Sequence, residues 1–181
     1  MPRVGLCLLV AGMLCVGCDD RGTITVPAHR DIGKQIAKMR ARDRPFFFAG
    51  QEFAGLPLTA ARSEDWRGGG LFVYGTGSLP VPADGGCAPP AQIQIFRFDA
   101  GLWSRAVNCH RLPSLLGVPT VRHDGLVLFS KGAIIKIYAR THAEDRRLAL
   151  SLRDLDRPGT ILRRLTPPAQ ATVRLIASVC R

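Results

Sequence analysis

Gly125-Leu126-Val127-Leu128-Phe129-Ser130-Lys131-Gly132-Ala133-Ile134-Ile135-Lys136-Ile137-Tyr138-Ala139 is the stretch whose reading decides the fold. Two runs rich in β-formers flank Lys131-Gly132, and a short glycine-containing turn between such runs is a hairpin signal. Thr141-His142-Ala143-Glu144 follows directly. This is a Thr-x-x-Glu capping box, in which two side chains satisfy free backbone amides at a helix start. Leu148, Leu152 and Leu155 then fall at i, i+4 and i+7, one face of a helix that Arg157-Pro158-Gly159 ends. A helix laid on a sheet buries both apolar surfaces. The expected class is therefore α+β: an antiparallel sheet with a C-terminal hairpin–helix unit packed on one face.

Working outward, several segments upstream read as strands. Phe46-Phe47-Phe48-Ala49-Gly50 and Gly55-Leu56-Pro57-Leu58-Thr59-Ala60 look extended. Leu71-Phe72-Val73-Tyr74-Gly75 is a compact apolar run bounded by glycine, which suits a buried strand. Residues 75–90 carry four glycines and four prolines and read as a long loop. Ala91 to Phe98 alternates like a strand, and Gly117-Val118-Pro119-Thr120-Val121-Arg122 leads into the hairpin. His123-Asp124 is placed in the turn before Leu126. Downstream, Thr166-Pro167 opens a last helix with Val173, Ile176 and Val179 roughly on one face, although Thr172, Val173 and Ile176 also suit a strand. No internal repeat is visible.

The N-terminus carries the compartment. Arg3 precedes an apolar run from Val4 to Val16. That run is shorter than the roughly 20 residues needed to span a bilayer and has the length of a signal-peptide core. It ends at Cys15-Val16-Gly17-Cys18, followed by Asp19-Asp20-Arg21-Gly22. This resembles the lipobox of bacterial lipoproteins, with a small residue before the cysteine. The resemblance implies cleavage after Gly17 and a diacylglycerol on Cys18. The usual leucine three residues before the cysteine is Cys15 here, and Leu14 sits one place early. The expected organisation is a lipoprotein signal peptide at 1–17, a tether and candidate basic helix at 18–44, and one extracytoplasmic α+β domain at 45–181. In the segment 31–43, Ile32, Ile36 and Met39 share one helical face, with Lys34, Lys38, Arg40 and Arg42 elsewhere. Such a helix packs on the domain or lies at a membrane surface.

The chain has 181 residues, 46% of them hydrophobic, and a formal charge of +11. That excludes a wholly disordered protein. Basic residues are 21 Arg against 4 Lys and are scattered apart from a modest cluster at 34–44, a bias expected of a GC-rich genome. Nucleic-acid binding asks for a concentrated basic face with interleaved aromatics, and is not expected. Long-range attraction to anionic lipid or an acidic envelope polymer fits better.

A group of segments also resembles a family of exported or lipoprotein-type proteins of GC-rich Gram-positive bacteria. They are Phe53-Ala54-Gly55-Leu56-Pro57-Leu58-Thr59, Phe72-Val73-Tyr74-Gly75, Gly85-Gly86-Cys87-Ala88-Pro89-Pro90-Ala91-Gln92-Ile93-Gln94, Gly117-Val118-Pro119 and the hairpin with its helix. The resemblance covers roughly residues 46–156, and its specific step is Gly-Gly-Cys-Ala-Pro-Pro. A cysteine that commonly follows the Tyr-Gly step is absent, and Gly77 lies in that region. The resemblance implies no agreed activity. The hairpin and helix are also similar, at fold level only, to β-sheet modules of bacterial anchored regulators and lipoprotein carriers.

Signal cleavage removes Cys7 and Cys15, and lipidation uses Cys18. Cys87, Cys109 and Cys180 then lie outside the cell, where disulfides persist. Cys87 and Cys109 bracket one strand and its exit loop, so a Cys87–Cys109 staple is expected. Cys180 is left to pair with another chain, stay free, or replace one partner. Cys87, Cys109 and Cys180 form no Cys-x-x-Cys; the one such spacing, Cys15 to Cys18, straddles the expected cleavage point. The histidines His29, His110, His123 and His142 show no metal-ligand spacing, and no metal or cofactor is expected. Ser63-Glu64-Asp65 reads as a loop and Asp154-x-Asp156 as a solvated helix end. Neither a nucleophile elbow nor a phosphate or dinucleotide loop is present, and no catalytic residue is assigned. The expected function is a non-catalytic, membrane-anchored envelope lipoprotein. It reaches the membrane through Cys18 and binds an envelope protein, lipid or polymer, with its oligomeric state open. The alternatives are a small extracytoplasmic enzyme using groups such as His110, His123 or Cys180, and a sensor module. The sensor would carry a ligand cavity beside Leu148, Leu152 and the hairpin.

Overall fold

A computed structural model describes residues 31–64, 69–76, 79–80, 87–103 and 108–181. In chain order these form α1 (Ile32–Arg40), β1 (Phe47–Phe48), β2 (Glu52–Phe53), β3 (Leu56–Glu64), β4 (Gly69–Tyr74), β5 (Leu79–Pro80), β6 (Cys87–Ala88) and β7 (Ala91–Phe96). There follow α2 (Ala100–Trp103), β8 (His110–Leu115), β9 (Val118–Arg122), β10 (Leu126–Ser130), β11 (Ala133–Ala139), α3 (His142–Leu150), β12 (Arg153–Asp154), β13 (Arg157–Ile161) and α4 (Gln170–Val179). The signal-peptide segment, Cys18 and His29 lie outside the described residues.

The deciding hairpin forms where its sequence places it. β10 and β11 pair antiparallel from Leu126↔Ile137 to Ser130↔Ala133. Gly132 turns the chain at φ +78, a conformation glycine adopts without steric cost. Eight strands make one antiparallel sheet in the order β2-β3-β4-β7-β11-β10-β9-β8. A smaller sheet, β1-β12-β13, and the β5–β6 pair accompany it.

Strand alternation builds a core on each face. Ala91, Ile93 and Ile95 of β7, Leu126 and Leu128 of β10, and Ile135 and Ile137 of β11 point to one face. There they join Met39 of α1, Phe46 to Phe48, and Leu148 and Ala149 of α3. Val127, Phe129 and Ile134 point to the other face and meet Trp103 of α2 and Ile176 of α4. Burial on both faces explains why β10 is apolar without interruption. Each fully buried aliphatic side chain contributes roughly 1.5–3 kcal/mol relative to exposure.

α1 belongs to this packed unit. Met39 is fully buried, Ile32 and Ile36 rest on the core, and the Arg40 guanidinium donates to the Leu155 carbonyl at 2.9 and 3.2 Å. Of the two settings open to this helix, packing on the domain is the one found.

The helix after the hairpin is shorter than its leucine spacing predicts. α3 ends at Leu150, with Ser151 as C-cap. Arg153 and Asp154 then pair with Phe48 and Phe47 in the small sheet, and the Leu155 N–H donates to the Phe46 carbonyl at 2.9 Å. Leu148, Leu152 and Leu155 are all buried, but only the first from a helix. The turn that follows happens to keep the other two aimed at the same core. At the C-terminus the helical reading of α4 holds, with Ile176 as its buried residue and Val173 exposed.

Candidate functional site

The most chemically loaded point in the described structure is the N-terminal end of α3. Thr141 is its N-cap, and its hydroxyl accepts from the Glu144 N–H at 3.2 Å, as the capping box predicts. Asp145, four residues after the cap and still in the first turn, lies under the helix, 3% exposed. One Asp145 oxygen accepts from the Ala139 N–H at 2.7 Å, where β11 ends. The other meets the guanidinium of Arg122, where β9 ends, and lies 3.6 Å from His142 Nδ1. Burial pushes the Asp145 carboxyl above its ordinary range, while Arg122 and the Ala139 amide pull it back. Both oxygens are engaged, so this carboxyl fastens the helix to two strand ends.

A cleft of about 50 Å³ opens beside it, with Phe53, Leu56, Pro90, Ala139, Arg140 and Glu144 in its lining. Small-molecule sites usually enclose roughly 300–1,000 Å³, so this cleft suits a side chain or a few waters. Where the sensor alternative would place its cavity, Leu148 and Leu152 are fully buried in one cluster with Leu128 and Ile135.

The disulfide corrects the expected staple. Cys109 bonds to Cys180, with Cα atoms 4.6 Å apart, and is therefore not available to Cys87. The backbone of Cys87 lies on β6 opposite Pro80. The physical reason is the path of α4, which returns Cys180 to the start of β8. Arg181 then locks in: its N–H donates to the Cys109 carbonyl at 3.0 Å and its carbonyl accepts from the Arg111 N–H at 2.6 Å. Of the three fates left open for Cys180, replacement of one partner is the one found.

The histidines are not brought together as a site. His110 is exposed on β8, and His142 is exposed beside Asp145. His123 packs edge-on against Trp103, ring centroids 5.6 Å apart. Among the described residues no group of three His, Cys, Asp or Glu could hold a metal ion. Asp154 accepts from the Asp156 N–H at 2.9 Å and so shapes the tight β12–β13 turn rather than a helix end. In the sequence Tyr74 stands only as part of a strand. Its buried hydroxyl accepts from the Ala49 N–H at 2.7 Å, and burial holds it protonated far above neutral pH. Arg122 and Asp145 carried no signal beyond a strand-end cation and a first-turn acid. Only the return of the chain unites them.

No family model, curated protein or solved structure matches the chain. Among the described residues no helix is long and apolar enough to cross a membrane.

Proposed function

We propose that this chain is a bacterial envelope lipoprotein of the extracytoplasmic space, held at the membrane by a diacylglycerol on Cys18. In this reading its α+β domain binds an envelope protein, lipid or polymer without catalysing a reaction. The observation that carries the proposal is the apolar run Val4–Val16 followed by Gly17-Cys18-Asp19. The Cys109–Cys180 pair gives support, because structural disulfides persist in oxidising compartments. Two groups otherwise suited to chemistry are engaged: Cys109 in that disulfide, and Asp145 in fastening α3.

Intact mass spectrometry of protein purified from its native membranes, without reductant, tests the reading. The expected species begins at Cys18, carries a diacylglycerol, and is lighter by the hydrogens lost to one disulfide. A chain that still begins at Met1, or one cleaved nearby and unlipidated, overturns the lipoprotein assignment. The non-catalytic part is tested by His110→Ala and His123→Ala. A retained fold with a lost cellular phenotype revives the enzyme.

A further inference from the structure

The eight-stranded sheet contains the same topology twice. β2-β3-β4-β7 and β8-β9-β10-β11 are each four antiparallel strands in order, and their last strands, β7 and β11, pair in the middle of the sheet. The register between them is symmetric. Ile93 faces Ile137, Ile95 faces Ile135, and Gln94 faces Lys136 at the centre. The correspondence that places Ala91 on Ala133 also places Ile93 on Ile135, Ile95 on Ile137 and Phe96 on Tyr138, with no gap. It carries the Ile93↔Ile137 pair onto Ile95↔Ile135 and returns Gln94↔Lys136 to itself. A two-fold axis normal to the sheet, passing through that central pair, has this effect. The same unbroken correspondence places Asp99 on Thr141 and Ala100 on His142. These are the residues at the starts of α2 and α3, and in each half a side chain before the helix accepts a backbone N–H within it.

Earlier strands agree independently. Gly70↔Ile95 and Phe72↔Ile93 in the first half match Leu126↔Ile137 and Leu128↔Ile135 in the second. This puts Gly69 on Gly125. A Cβ on Gly69 would lie 2.5 Å from the Ile95 carbonyl oxygen, and one on Gly125 would lie 2.7 Å from that of Ile137. Two equivalent glycines are thus required by two equivalent carbonyls. Each half also opens with a two-residue turn whose residues both have positive φ: Ala54 and Gly55 at 50° and 79°, Leu116 and Gly117 at 52° and 74°. Non-glycine residues seldom adopt that conformation. Each turn is followed by an aliphatic residue and proline, Leu56-Pro57 and Val118-Pro119.

We infer that the sheet is an internal duplication of one ββββα unit. The β7–β11 seam is then the self-complementary interface of two copies of that unit, joined within one chain. The departures have physical causes. Where the first half would seat a helix like α3, Met39 and Phe46 lie against Gly70. α2 packs instead on the opposite face, in the cluster that also holds Ile176 of α4.

An experimental structure of the full chain tests this. Superposing 69–74 with 91–100 onto 125–130 with 133–142 is expected to need a rotation within about 10° of 180°, with backbone deviations under about 2 Å. A rotation far from 180° overturns the inference. A second test needs no structure. Gly69→Ala and Gly125→Ala are each expected to lower the melting temperature of the full chain by several degrees. If one lowers it and the other leaves it unchanged, the two positions are not equivalent and the duplication fails.

Discussion

Asp145 shows what a single buried carboxyl does to pH dependence. Its raised pKa means the folded state favours the protonated form. The stability linked to this group is fully present below the ordinary Asp pKa, about 3.9. It is lost as pH rises through the raised folded value. Between those limits, Asp145→Asn is expected to flatten the fall in melting temperature that the native chain shows. Melting curves across mildly acidic to neutral pH check this; a native midpoint that climbs with pH relative to the variant contradicts it. Core residues follow simpler rules. Leu148 is fully buried, so Leu148→Ala is expected to destabilise by about 2–5 kcal/mol through lost burial and a residual cavity. Leu148 was legible in the sequence as one of three spaced leucines. Asp145 was not, because nothing local distinguishes it from an exposed first-turn acid. Its role depends on Arg122 and on the Ala139 amide, which only the folded hairpin brings near.

At the scale of elements, capping chemistry and alternation were the reliable signals. Thr141 caps α3 as expected, and Thr141→Ala is expected to lose about 1 kcal/mol in chemical denaturation. An unchanged midpoint would show that the carboxyl fastening alone sets the helix start. β4, β7, β10 and β11 announced themselves by apolar runs or alternation. β8 did not, because its residues are mostly exposed and include Pro113, Arg111 and Ser114. The leucine spacing overruns the end of α3 because a helix and a turn into β12 bury the same leucines. Strand edges are also managed element by element. β2 has two residues, β13 carries Pro158 and Gly159, and the start of β8 is covered by the Arg181 backbone. Short edges and proline discourage pairing with another chain.

At the scale of the whole molecule, Cys109 and Cys180 close a loop with a sequence separation of 71. In the chain-entropy account such a link contributes about 4 kcal/mol, so Cys180→Ser is expected to shift the denaturation midpoint strongly in the absence of reductant. The same shift on adding a dithiol to the native chain, and none on adding it to the variant, would complete the check. The α+β class was legible from one hairpin and its helix. The duplication was not, since the two halves keep different spacings. Gly55 and Gly69 are separated by a longer strand, β3, than the β9 between Gly117 and Gly125, and a longer stretch of sequence separates β4 from β7 where Lys131-Gly132 suffices between β10 and β11. The seam also has a consequence for folding. β7 precedes its partner β11 in the chain, and a domain that forms from its N-terminal side holds the strand with Ile93 and Ile95 with one unpaired edge until β11 arrives. Gln92 and Gln94 between those isoleucines, and Pro89-Pro90 at its threshold, make that edge a poorer template for aggregation during the wait.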